Sequence, residues 1–261
     1  MSSYLHNLFN FIDETLIYPM ESDDITDINK ITYKDIAKIT SMSVIGCSLL
    51  KIGIRRILTK TIFYKSIKNS RMIELNIITV LHSILLTGYG IKQTFFPNTF
   101  WYKTTGCGHI ISISLGYFIH DTISNYSLWK KDPTMLLHHL SCIGLTSSVL
   151  YVPKIYSLCA PFAIAELSSI FLNIMYTLHS TNQKNTILST LNLGAFVSTF
   201  FVTRIVWMPY VLIRFFNKEP IIQVKCVQWL LSVLCSLNFW WFNGIIKKVY
   251  KVICNKKLKK K

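Results

Sequence analysis

Apolar residues in this chain gather into runs of about 18 to 25, the length that carries a helix across a hydrocarbon core of about 30 Å. Short polar or basic connections separate the runs, which fall near residues 36–58, 72–91, 108–129, 134–152, 156–178, 187–215 and 224–246. Backbone polar groups inside a bilayer must be satisfied within the segment, so each run is expected as a helix. The pattern predicts an all-α fold, a polytopic membrane helix bundle of about seven transmembrane helices.

The polar exceptions inside those runs carry the candidate chemistry. Gly116 to Leu145 reads as two apolar runs joined by Lys130, Lys131, Asp132 and Pro133, with Asp121, His138 and His139 at membrane depth. An Asp there costs roughly 2.5 to 3.5 kcal/mol on insertion scales, so such groups face a bundle interior or a wet cavity. Asp121 is expected about 12 Å, and His138 and His139 about 7 Å, from the same end of antiparallel neighbours, close enough for a His–Asp contact. Tyr117, four residues before Asp121, shares its face. Adjacent histidines diverge by about 100° around a helix, so one faces a site while the other packs or bonds to a neighbour. Further along, Glu166, Ser169 and Asn173 form a stripe at i, i+3 and i+7. Arg204 is an expected partner for Glu166 or Asp121, with Pro209 kinking the helix nearby. His82, flanked on its face by Thr79 and Tyr89, and Asn238 complete the polar set. Trp240 and Trp241 suit an interfacial aromatic belt. Mutual satisfaction of these groups, as glue between helices worth about 0.6 kcal/mol per contact, is the alternative to a site.

Composition sharpens the class. The chain is 51% hydrophobic and only 15% charged, with a mean hydropathy of +0.39, which is poor in charge for a soluble domain. The net charge of +16 sits mostly between or after the apolar runs, as topology signals do, and no basic stripe suggests nucleic acid. Arg55 and Arg56 mark the end of the first run, Lys60, Lys65, Lys68 and Arg71 follow it, and a Lys-rich tail follows the last. With seven spans both segments share one side, expected to be cytosolic, which places the N-terminus in the lumen. Arg214, Lys218 and Lys225 on the opposite side run against this rule. Residues 1–35 read as an amphipathic then acidic segment without a cleavable signal. Lys257 and Lys259 resemble a dilysine retrieval signal read by a coat complex, or simply attract anionic lipid. The sequon at Asn125 falls on the cytosolic side and is expected unmodified. The seven cysteines lack zinc spacings. Cys107 and Cys226 could share a face and pair, and Cys254 beside the basic tail could be palmitoylated.

The segments RMIELNIITVLHSILL (71–86), GYFIHD (116–121), MLLHHL (135–140), AELSSIFLN (165–173), TRIVWMPY (203–210) and LNFWWF (237–242) resemble, in order, the TLC-domain family. That family holds the ceramide synthases, the translocating-chain-associating proteins and the ceroid-lipofuscinosis membrane protein. The resemblance is nearest to its small type-four members. It divides the chain into residues 1–35, a first helix and basic loop at 36–69, a TLC domain of six helices at 70–250, and a basic tail at 251–261. It implies a bundle enclosing a cavity for a long acyl chain, in the endoplasmic reticulum, acting in sphingolipid or phospholipid homeostasis. In the ceramide synthase branch a pair matching His138 and His139 is implicated in acyl transfer from acyl-CoA to a sphingoid amine. That branch carries several acids in the next helix, whereas PFAIAELSSIFLN here keeps only Glu166.

Four readings follow. The first is a lipid-binding protein without a resident cofactor. The second is an acyl-CoA-dependent acyltransferase, with His138 or His139 as base and Asp121 orienting the imidazole. The third is a metal-dependent hydrolase using His82, Asp121, His138 and His139. The fourth is a membrane cargo receptor. The predicted partners are membrane lipids or acyl chains.

Overall fold

The computed structural model describes residues 31–60, 70–96, 104–130, 132–152, 159–218 and 225–258. The acidic N-terminal segment, most of the first basic loop, and Lys259 lie outside the described residues. Of Lys257 and Cys254 only the backbone is described.

Among the described residues the chain forms seven helical rods. The first four are α1 (Tyr33–Thr59), α2 (Ser70–Phe95), α3 (Thr104–Trp129) and α4 (Pro133–Tyr151). Rod α5 comprises Cys159–Ala163, a 3-10 turn at Ile164–Glu166 and Leu167–Ser180. Rod α6 comprises Ile187–Phe200, a π-helical stretch at Phe201–Trp207 and Met208–Lys218, and α7 spans Lys225–Leu258. The last helix therefore continues about three turns past the expected end of its apolar run, into the basic tail.

Five rods are long and apolar enough to cross a membrane, over Tyr33–Thr59, Met72–Phe95, Cys159–Ser180, Ile187–Phe216 and Lys225–Lys251. Rods α3 and α4, at 26 and 19 residues, have the length, but the Ser, Thr, His and Asp residues they carry dilute their apolar character. They are the rods that bear Asp121 and the His pair.

Local sequence explains where rods start. Thr32 and Asp35 make a reciprocal capping box at α1, which satisfies donors that a helix start leaves open. Asp132 caps α4, accepting from the Thr134 amide at 3.2 Å, and Pro133 occupies the first turn, where its missing N–H costs nothing. Rod α5 ends in a tight reversal. Asn182 adopts φ 59°, and the Gln183 amide donates back to the Leu178 carbonyl at 2.8 Å. Asn tolerates this left-handed position, so the chain turns directly into α6.

Six rods close into a ring in the order α2, α3, α4, α7, α6, α5 and back to α2, while α1 packs outside it against α3 and α2. The α2–α3 seam is the sparsest of the six and is bridged by side chains. Lipid-facing positions such as Met42, Ile45, Leu81, Ile84, Leu191, Val202 and Trp229 are exposed, as a bundle solvated by hydrocarbon requires.

Small residues fix the docking of α1. The Ser43 hydroxyl donates to the Ile113 carbonyl at 2.7 Å and Thr40 to the Ser112 carbonyl at 3.3 Å. Gly116 lies so close that a Cβ there would meet Ser43 Cβ and the Thr40 carbonyl, each at 2.5 Å. Interfaces between membrane helices favour such small residues because lipid supplies no hydrophobic drive between rods. Cys107 and Cys226 are both unpaired. Cys107 is buried beside Gln93, and Cys226 is exposed beside Ser148, so the two do not pair.

Gly116→Val is expected to dislodge α1 from α3, at a cost of about 1–3 kcal/mol. Gly46→Val, where nothing lies within 4 Å of the added Cβ, should be nearly silent. Thermal unfolding in detergent, with protease access to α1 as a second readout, checks the difference.

Candidate functional site

A belt of polar groups crosses the interior of the ring, and Arg204 is its centre. Arg204 is buried on the π-helical part of α6. Pro209 has no N–H for the carbonyl four residues back and its ring crowds that position. The helix widens ahead of it instead, and the Met208 amide donates to Thr203, five residues back. The expected kink is thus taken up as a π stretch. Glu166 also departs from α geometry, ending the 3-10 turn of α5.

The two residues meet. Arg204 Nη2 stands 3.5 Å from Glu166 Oε1 and donates to Ser169 Oγ at 2.8 Å. Nε donates to Ser168 Oγ at 2.7 Å, and Nη1 donates to Asn238 Oδ1 at 3.3 Å. The guanidinium also sits 5.5 Å from the Phe200 ring centroid. Ser83 of α2 donates to Glu166 Oε2 at 3.4 Å. One cation and its counter-charge therefore join α2, α5, α6 and α7.

The His pair divides, as adjacent helix positions must. His139 points toward α3, where its Nε2 lies 3.7 Å from Asp121 Oδ2. Asn125 donates to Asp121 Oδ1 at 2.8 Å. His138 turns the other way, toward α7. Its ring packs against Trp241 at 5.3 Å, and its Nε2 lies 3.8 Å from Cys142 Sγ. Its Nδ1 is buried with no hydrogen-bond partner among the described residues. Trp241 donates to Thr134 Oγ1 at 3.1 Å and so packs toward α4 behind His138, while its neighbour Trp240 is exposed.

His82 and Tyr117 seal the α2–α3 seam. Their rings stack at 3.7 Å, 15° from parallel. His82 Nε2 lies 3.1 Å from Ser114 Oγ, and the Tyr117 hydroxyl donates to Thr79 at 3.0 Å. Tyr117 therefore shares α3 with Asp121 but serves a different contact. Asn173 donates its amide to the Ser169 carbonyl of its own helix at 2.8 Å, one turn away from the guanidinium. His82, Asp121, His138 and His139 do not converge. Among the described residues no group of three or more His, Cys, Asp or Glu side chains could hold a metal ion. The metal-hydrolase ligand set is not assembled, because His82 is committed to Ser114 and Tyr117 at the α2–α3 seam.

Above the belt lies a cavity of about 100 Å³, with walls from all six rods of the ring. His138, Glu166, Arg204 and Asn238 form its polar end. The apolar walls follow one rule. Leu86 lies beyond His82 on α2, Ile110 before Asp121 on α3, and Leu145 beyond His138 on α4. Phe162 lies before Glu166 on α5, Met208 beyond Arg204 on α6, and Leu231 before Asn238 on α7. Since neighbouring rods alternate in direction, every apolar position falls on the same side of the belt, toward the ends marked by Phe95, Thr104, Tyr151, Cys159 and Lys225. The cavity is an apolar slot standing on a hydrogen-bonding floor. Asp121 and His139 lie under that floor and do not line it.

Ser168 and Ser114 were not among the residues expected from sequence, and Trp241, expected in an interfacial belt, packs against His138 instead. Ser168 is the closest partner of Arg204, and its only signal was its place next to Ser169.

Comparison with known proteins adds an independent finding. The TLC domain profile matches residues 71–247, the span of the six-rod ring. A relative in Dictyostelium discoideum, "TLC domain-containing protein 4 C", is 26% identical over 201 residues, covering 69% of this chain and 71% of the relative.

Breaking a buried ion pair on one side strands the other charge, at about 3–5 kcal/mol. Arg204→Ala is expected to lose that much, and an Arg204→Met, Glu166→Leu double variant to recover most of it. Thermal unfolding of the purified variants distinguishes this from simple additivity.

Proposed function

This chain belongs to the TLC-domain family, and on that premise we propose that it is an integral membrane protein that holds a long-chain lipid or acyl chain inside its six-rod ring. Its role is in membrane lipid homeostasis, in the sphingolipid or phospholipid pool. All seven rods span the bilayer. The polarity of α3 and α4 suits spans whose Asp and His residues face the bundle rather than lipid. The basic segments after α1 and at the end of α7 face the cytosol and the N-terminus faces the lumen. The chain resides in the endoplasmic reticulum, with Lys257 and Lys259 available to a coat complex.

The observation that carries this reading is the slot itself. Its walls are apolar on one side of a polar floor, and ligand sites take that form, with a few placed polar groups to orient a mainly hydrophobic guest.

A second reading, acyl transfer from acyl-CoA to an amine, is favoured by one observation: His138 lines the cavity. As the amine nitrogen bonds to the thioester carbon and the C–S bond breaks, a neutral imidazole would take the amine proton and return it to the CoA thiolate. Asp121 supports His139 rather than His138, so the base in this reading acts without a carboxylate to orient it.

Lipid extraction from the purified protein tests both readings. Wild type is expected to carry a stoichiometric lipid, and Ala163→Phe, which fills the slot, to carry about ten-fold less, the equivalent of 1.4 kcal/mol. The exposed change Leu191→Phe should carry the wild-type amount. Comparative lipidomics of cells expressing wild type or His138→Ala at equal protein levels separates the two. A lipid change seen only with wild type, while both proteins retain bound lipid, indicates acyl transfer. An unaltered effect of His138→Ala leaves binding alone.

A further inference from the structure

We infer that the guest of this slot is a long-chain lipid whose head is uncharged and hydrogen-bonding, and that carboxylate, sulfonate or ammonium heads are excluded. The inference rests on the reading that the slot holds a lipid, and it adds the class of lipid.

The floor of the slot contains one cation and one anion, Arg204 and Glu166, and they are spent on each other. Arg has five N–H donors. Four contacts engage them, with Ser168, Asn238, Ser169 and Glu166, which leaves one N–H on Nη1. No Lys lines the slot. The carboxylate of Asp121 lies under the floor, against His139 and Asn125. An anionic head seated beside Glu166 would therefore meet a like charge and no free counter-charge. A cationic head would compete with Arg204 for a carboxylate that is already paired. Burying a charge without a partner costs several kcal/mol, whereas a neutral polar group needs only a hydrogen bond.

The floor offers those bonds. The remaining Arg204 N–H donates only. His138 lines the same floor, and its neutral ring both donates and accepts. An amide, alcohol or ester head satisfies both, with its aliphatic chain along Leu86, Ile110, Leu145 and Leu231.

The full-length protein in nanodiscs is titrated with radiolabelled hexadecanamide, and hexadecanol, hexadecanesulfonate and hexadecyltrimethylammonium are added as competitors. Binding to the Ala163→Phe protein serves as the bilayer background. Both uncharged probes should bind at least about ten-fold more tightly than either ion, a difference of 1.4 kcal/mol. Glu166→Gln, which leaves Arg204 uncompensated, should narrow or reverse the gap for hexadecanesulfonate alone. If that variant does not fold, the wild-type ranking decides by itself. A wild-type protein that binds hexadecanesulfonate or the ammonium probe as tightly as the amide overturns this inference and leaves the lipid-binding reading standing. No saturable binding by any probe overturns both.

Discussion

A guanidinium inside a membrane bundle is tolerable only when its charge and most of its donors are answered. In this chain that requirement organises the interior. Arg204 reaches Ser168, Ser169 and Glu166 on α5 and Asn238 on α7, and Glu166 in turn receives Ser83 from α2. Rods in lipid have little hydrophobic reason to associate, so packing and polar contacts must set their order. The Arg204 cluster ties four of the six ring rods at one level. The remaining two, α3 and α4, are held by a second contact, Asp121 with His139. Glu166 answers the charge of Arg204, and the Asp121 carboxyl is held by His139 and Asn125 on the other side of the same floor.

Both partners of the first pair stand where the helix is not α-helical. The π stretch around Arg204 and the 3-10 turn ending at Glu166 rotate these residues relative to the turns on either side, and such departures recur at functional positions. Here they aim two charged side chains at one level of the ring without leaving backbone groups open to lipid. Mainly apolar packing takes over beyond that level, which is why the two charged residues of the cavity lie at one end.

The rods and their approximate ends were legible in the sequence, because apolar runs of spanning length have few other uses. Five of them meet a composition criterion on their own. The two that do not, α3 and α4, are diluted by the residues that give the interior its chemistry. The meeting of Asp121 with a histidine followed from depth along antiparallel rods, whereas the sequence left Arg204 to either Glu166 or Asp121, and the structure pairs it with Glu166. Periodicity could not decide which histidine faces which way. That depends on the rotation of α4 about its axis, which Trp241, Phe118 and the α4–α7 seam determine. Nor could it show the 3-10 turn, the role of Ser168 beside Arg204, or the close approach of α5 to α2 at Gly90, where an added Cβ would meet the Ala160 carbonyl at 2.7 Å. The docking of α1 was equally hidden. Ser43 and Gly116 are ordinary small residues until two rods cross there.

The central claim is directional: a chain enters along the apolar walls and its head rests on the floor at His138 and Asn238. Photolabelling with a long-chain amide carrying a diazirine either beside the head or at the chain terminus tests this most directly. The head-proximal probe is predicted to label peptides containing His138 or Asn238, and the terminal probe those containing Ile110, Cys159 or Leu231. Reversed labelling, or labelling confined to lipid-facing positions such as Leu191 and Trp229, would contradict the account.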